Sequence, residues 1–111
     1  MTTLMPKDVN DNPIPALRLK DGGAHTITIG ASSARNASAF NAGTRIISLY
    51  SDVPVYLTFG DSSVSADTND HYFPAGTYYD ISIGGDHSAH YTHVAALQTT
   101  TSGTLYISEK E

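Results

Sequence analysis

Thr44 to Gly60 reads TRIISLYSDVPVYLTFG, and its period-two alternation decides the fold class. In its second half Val55, Leu57 and Phe59 alternate with Tyr56 and Thr58, the pattern that sends apolar side chains to one face of a pleated strand. In its first half Ile47 and Leu49 alternate with Ser48 and Tyr50, and Ile46 makes the run nearly continuous, as in a strand covered on both sides. Ser51-Asp52-Val53-Pro54 interrupts the alternation. Asp52 is a turn former, and Pro54, which has no N–H to give a ladder, fits only the first residue of a following strand. The stretch predicts a β-hairpin with a tight turn, and a hairpin this apolar needs a second sheet to cover it.

On its N-terminal side, Gly30 to Gly43 is rich in small residues and reads as a loop pinned to the core by Phe40. Asn36-Ala37-Ser38 matches the glycosylation sequon, read here as a chance match. Arg45 reads as a solvent-facing charge at a strand end. Ala16 to Lys20 and His25 to Ile29 each alternate, and Asp21-Gly22-Gly23 supplies the positive φ angles of a tight turn, so these two segments are predicted to pair antiparallel. On the C-terminal side, Gly60 to Pro74 is a long polar loop in which Asp61, Asp67 and Asp70 depart from the EF-hand spacing, and they are read as turn formers. Strands are predicted over Tyr78 to Ile83, Tyr91 to Leu97 and Thr104 to Ser108. The predicted core is Leu17, Leu19, Ile27, Ile29, Ile47, Leu49, Val55, Leu57, Phe59, Ile81, Ile83, Val94, Leu97, Leu105 and Ile107. With seven to eight short strands and no helical period, the chain is expected to be all-β, an antiparallel β-sandwich or jelly roll over residues 16–111. Residues 1–15, with Pro6, Pro13 and Pro15, form an extended N-terminal arm.

The chain has 111 residues and no cysteine, which suits one domain held by burial and rules out disulfides and thiolate chemistry. Acidic residues outnumber Lys and Arg 11 to 6, which disfavours a nucleic-acid footprint. No apolar window is long enough to span a bilayer, and MTTLMPKDVND lacks the marks of a signal peptide, so synthesis in a cytoplasm is expected. Asp86-His87-Ser88-Ala89-His90-Tyr91-Thr92-His93 is the one constellation with metal-binding residue types. A spacing of three throws successive side chains of an extended chain to opposite faces, so the reading is of polar loop histidines and no metal or cofactor, with His87 and His90 the candidates if one binds. No nucleophile motif and no phosphate loop is present, and no enzyme is predicted.

Arg45-Ile46-Ile47 with Leu49, Val53-Pro54-Val55-Tyr56-Leu57, Phe59-Gly60-Asp61, Val64 with Ala66, Asp70, Phe73-Pro74-Ala75-Gly76-Thr77, Ile81-Ser82-Ile83 and Ser102-Gly103-Thr104-Leu105-Tyr106-Ile107-Ser108 follow one another in an order that resembles small all-β accessory virion proteins of tailed bacteriophages. The resemblance covers about Thr44 to Ser108 and brings no catalytic residue. It implies a non-enzymatic virion structural protein of the capsid surface, a head decoration (cement) protein that binds and stabilises the shell. The alternative is a tail or fibre module, or a carbohydrate-recognition sandwich. The implied partner is the major capsid protein or another virion protein, with the chain acting alone or as a small homo-oligomer and touching neither nucleic acid nor membrane. The residues expected to bind are Pro6, Asp8, Asn10, Asn12 and Pro13 of the arm, together with Tyr72, Tyr78 and Tyr91 near loop ends, because tyrosine adds contact area at little entropic cost.

Overall fold

The computed structural model describes residues 7, 9–12, 16–85 and 87–111. Among them are eight strands and no helix: β1 Leu19–Ile29, β2 Ala34–Arg35, β3 Ile46–Ser51, β4 Val55–Gly60, β5 His71–Phe73, β6 Tyr78–Ser82, β7 His93–Gln98 and β8 Gly103–Lys110. They form two antiparallel sheets of four, ordered β1-β8-β3-β6 and β2-β7-β4-β5. One apolar cluster joins them. The first sheet gives it Ile27, Ile29, Ile47, Leu49, Leu105 and Ile107, and the second gives Val55, Leu57, Phe73, Val94 and Ala96. These residues recur at alternate positions along their strands and turn inward, in a sandwich-like arrangement.

The predicted hairpin does not form. Its two arms are strands, but β3 pairs with β8 and β6, and β4 pairs with β7 and β5, so the chain crosses from one sheet to the other between Ser51 and Val55. Three residues cover the crossing, enough for the roughly 10 Å between packed sheets at about 3.3 Å per extended residue. The crossing is clasped from outside. The Asp52 carboxylate accepts the Thr104 N–H at 2.8 Å, and Gly103 lies so close to Asp52 and Val53 that a side chain there would collide with both.

The first predicted pairing is also corrected. Ala16–Lys20 and His25–Ile29 are not partners, because the second and the end of the first belong to one strand that pairs with β8. Leu19 faces Lys110 and Ala24 faces Ser108, so five steps along β1 match two along β8 and Asp21-Gly22-Gly23 makes a bulge. Gly22 supplies φ +72°, and Gly23 sits where a Cβ would come within 2.9 Å of Glu109 Cβ. Three extra residues reverse the alternation, so Leu19, predicted in the core, points outward and is 64% exposed. Leu17, Phe59, Ile81 and Leu97 are half-buried, whereas Phe40 is buried as expected. Two short strands, β2 and β5, occupy stretches read as loop.

The loop from Asn36 to Arg45 is tied to both sheets by buried polar side chains. Asn36 is 2% exposed; its amide donates to the Ser38 and Thr92 carbonyls, and its oxygen accepts the Val94 N–H at 2.9 Å. An amide so engaged is not open to a glycan. At the other end of the loop stands Glu109, 4% exposed. One of its oxygens accepts the Thr44 hydroxyl at 2.6 Å and the Asn41 N–H at 2.8 Å, and the other lies 2.8 Å from His25 Nε2. The His25 ring meets Phe40 edge-on at 5.2 Å. Burial works against the Glu109 charge, but the hydrogen bonds from Thr44, His25 and Asn41 outweigh it and hold the carboxyl below its ordinary value.

Two outcomes test this architecture. Leu57→Ala is expected to cost about 2–5 kcal/mol and Thr58→Ala less than about 1 kcal/mol in chemical denaturation. Equal, small effects would put Leu57 on the wrong face. A carboxyl depressed in the folded state gives stability that is present above its unfolded pKa and lost as pH falls through the folded value. Glu109→Gln should therefore lower the urea midpoint at neutral pH and flatten its fall below about pH 4.3, whereas parallel curves would locate the acid sensitivity elsewhere.

Candidate functional site

The two outer faces differ. Over the second sheet the loop after β4 doubles back: Val64 packs against Gly60, its carbonyl accepts the Arg35 guanidinium, and the Ala66 amide donates to Ser33. Ala95, which alternation turns outward, is fully buried on that side. The loop is shaped by its own acids. Asp61 accepts the Ser63 amide and hydroxyl, which draw its carboxyl below the usual range, Asp67 accepts the Asn69 amide, and Asp70 accepts the Asp67 amide.

Among the described residues the outer face of the first sheet has no such roof. The register sets Thr26, Tyr106, Tyr50 and Tyr78 side by side across all four strands. Tyr106, Tyr50 and Tyr78 are 48%, 37% and 58% exposed. The Tyr50 and Tyr106 rings lie 6.4 Å apart at 43°, so they make a ridged surface rather than a flat one. The next row, Ala24, Ser108, Ser48 and Asp80, is small, and it leaves the tyrosines standing proud. Beyond it Lys110 reaches back, donating to Asp80 at 2.8 Å with its ammonium 5.1 Å from the Tyr78 ring centre. The Asp80 hydrogen bond raises the Lys110 pKa, so the ammonium stays charged and neutralises its neighbour. The result is an aromatic, electrically balanced row on a chain whose net charge is -5.

Of the residues expected from sequence, Tyr78 belongs to this row. Tyr72 lies on the other sheet, exposed beside Tyr56, and Tyr91 packs against Phe59, so these three are not brought together. Pro6, Asp8 and Pro13 lie outside the described residues, while Asn10 and Asn12 are exposed. Sequence reasoning missed Tyr50 and Tyr106 because it looked for tyrosines at loop ends. The usable signal was alternation, since each is flanked by inward-facing residues, Leu49 with Ser51 and Leu105 with Ile107. His87 is exposed with a left-handed backbone at φ 60°, and His90 donates from Nε2 to the Thr44 carbonyl at 2.8 Å. Arg45, read as solvent-facing, is half-buried and donates to the Ala42 carbonyl. Among the described residues no three of His, Asp and Glu gather in a set able to hold a metal ion, and no helix is long and apolar enough to cross a membrane.

No family model, curated protein or solved structure matches the chain.

His90→Ala, which removes the grip on Thr44, is expected to cost about 1 kcal/mol, and His87→Ala close to nothing. A chelator should leave the thermal midpoint of the parent chain unchanged. A clear drop would put a metal at one of these histidines.

Proposed function

We propose that the chain is a jelly roll serving as a non-enzymatic virion structural protein, a head decoration protein that binds the capsid shell of a tailed bacteriophage and stabilises it. What supports the jelly-roll reading is the strand order: β1-β8-β3-β6 facing β2-β7-β4-β5 interleaves both ends of the chain in each sheet, as two Greek keys do in capsid and lectin domains. The observation that carries the functional reading is the bare row Tyr106, Tyr50 and Tyr78. A monomer gains nothing by holding large aromatic rings in water, whereas a contact surface gains area, hydroxyl hydrogen bonds and little entropic loss. The Lys110–Asp80 pair beside them keeps the row free of net charge, so the acidic chain approaches a partner there without bringing unpaired charge into the contact. The N-terminal segment, where Asn10 and Asn12 are exposed, adds reach between neighbouring shell subunits.

The test is occupancy on heads of the encoding phage purified without this protein. The triple variant Tyr50→Ala, Tyr78→Ala, Tyr106→Ala should keep its circular dichroism and lose attachment by at least about tenfold, because central aromatic residues dominate contact energy. Unchanged occupancy would remove the tyrosine row from the interface. Attachment in a few copies at the tail rather than over the head would replace decoration by a tail role.

A further inference from the structure

The sandwich-like body is closed on one side and open on the other. β1 and β2 approach each other on the first side, while β6 and β5 are the terminal strands on the second. There the core is incompletely covered. Tyr79 and Ile81 face inward, opposite Leu49 and Ile47, yet Tyr79 is 56% exposed and Ile81 half-buried. The reason is length: β5, which ends the facing sheet, pairs with β4 at three positions, whereas β6 pairs with β3 at five. The gap is a groove of ≈ 460 Å³ floored by Leu57 and Phe73 and walled by Tyr79 and Ile81. Among the described residues no Asp, Glu, Lys or Arg lines it. Of the acids next to it in the chain, Asp80 turns to the outer face and is paired with Lys110, and Asp70 accepts the Asp67 amide, while the chain as a whole has a net charge of -5.

Two unmet needs coincide on this side. Among the described residues β6 has a strand neighbour on one side only, which leaves its outward backbone groups to extend the ladder. The groove beneath it has room for apolar side chains. A strand added to β6 would meet both at once, since its alternate residues would turn into the groove while its backbone paired with Tyr78–Ser82. The acidic net charge of the chain selects against acidic ends and in favour of basic ones. We propose that the open side accepts an extended segment of a partner protein as a fifth strand on β6, apolar at alternate positions and basic at its ends. This holds whether or not the partner is a capsid.

The test uses the full chain, isotope-labelled for NMR, and an end-blocked octapeptide of the sequence Lys-Thr-Val-Thr-Val-Thr-Val-Lys. Binding is expected below roughly millimolar peptide, with shifts and slowed amide exchange confined to Tyr78–Ser82 and the groove. Two further peptides carry N-methyl groups on the valines or on the threonines. In a strand on one edge, alternate N–H groups point at β6, so one of the two should lose at least about tenfold in affinity and the other should keep it. Replacing both lysines by glutamate, or Tyr79 of the chain by alanine, should each weaken binding by about tenfold. The proposal is overturned if the peptide does not bind, if both N-methylated peptides bind as the parent does, or if the shifts fall elsewhere. It is equally overturned if the chain alone self-associates with Tyr78–Ser82 protected, which would make a second copy the occupant. Binding of toluene in the groove without binding of the peptide would make it a small-molecule site instead.

Discussion

The crossing at Asp52-Val53-Pro54 is the constraint on which the rest depends. A chain that reversed there would pair β3 with β4 in one sheet and leave Ile47, Leu49, Val55 and Leu57 all on a single face with nothing opposite. By carrying the chain over to the second sheet, the same four side chains come to oppose one another, and the core closes on itself. The crossing is held by its own side chains: the Asp52 carboxylate takes the Thr104 amide, and Ser51 Oγ bonds locally to Val53. Because Thr104 is near the start of β8, that clasp also sets the strand lying between β1 and β3, so one short contact orders three of the first sheet's four strands.

The second organising feature is polar and buried. Glu109, His25, Thr44 and Asn41 occupy the end of the core where β1 bulges and the long loop returns to β3. A carboxylate is tolerated there because Thr44, Asn41 and His25 satisfy both of its oxygens, whereas removal of one of these donors leaves a buried acceptor short of a hydrogen bond. The cluster therefore acts less as a source of net stability than as a lock on one arrangement of loop and strand.

How much of this was legible follows from what alternation encodes. Alternation tells which face a residue occupies and says nothing about which strand lies beside it. Ile47, Leu49, Val55 and Leu57 read as buried under either pairing, so the core was visible and the hairpin was not excluded. Asp21-Gly22-Gly23 has the residues of a turn because a bulge and a turn share the need for positive φ; only the long-range partner, β8, distinguishes them. β2 and β5 are too short for a period to show. Glu109 stands in a charged C-terminal run, and nothing local announces that His25, 84 residues away, will meet it. The tyrosine row is an intermediate case: each outward position was readable, but their alignment is a property of register across four strands.

The same register argument bears on why the bare face and the open side are separate surfaces. Tyr78 and Tyr79 are adjacent in β6 and both more than half exposed, yet alternation sends one to the outer row and the other to the groove wall. A partner laid flat on the sheet reaches the first without touching the second, and a strand added at the edge does the reverse. Asp80 connects the two surfaces, because it lies on the outer face, held by Lys110, while its backbone belongs to the edge. Loss of the Lys110 contact would leave an unpaired acid beside the tyrosine row, while the groove, on the other face of β6, keeps a lining without carboxylates. Charge balance at this one residue thus acts on the flat contact, whereas a strand at the edge depends on the β6 backbone and on the apolar groove beside it.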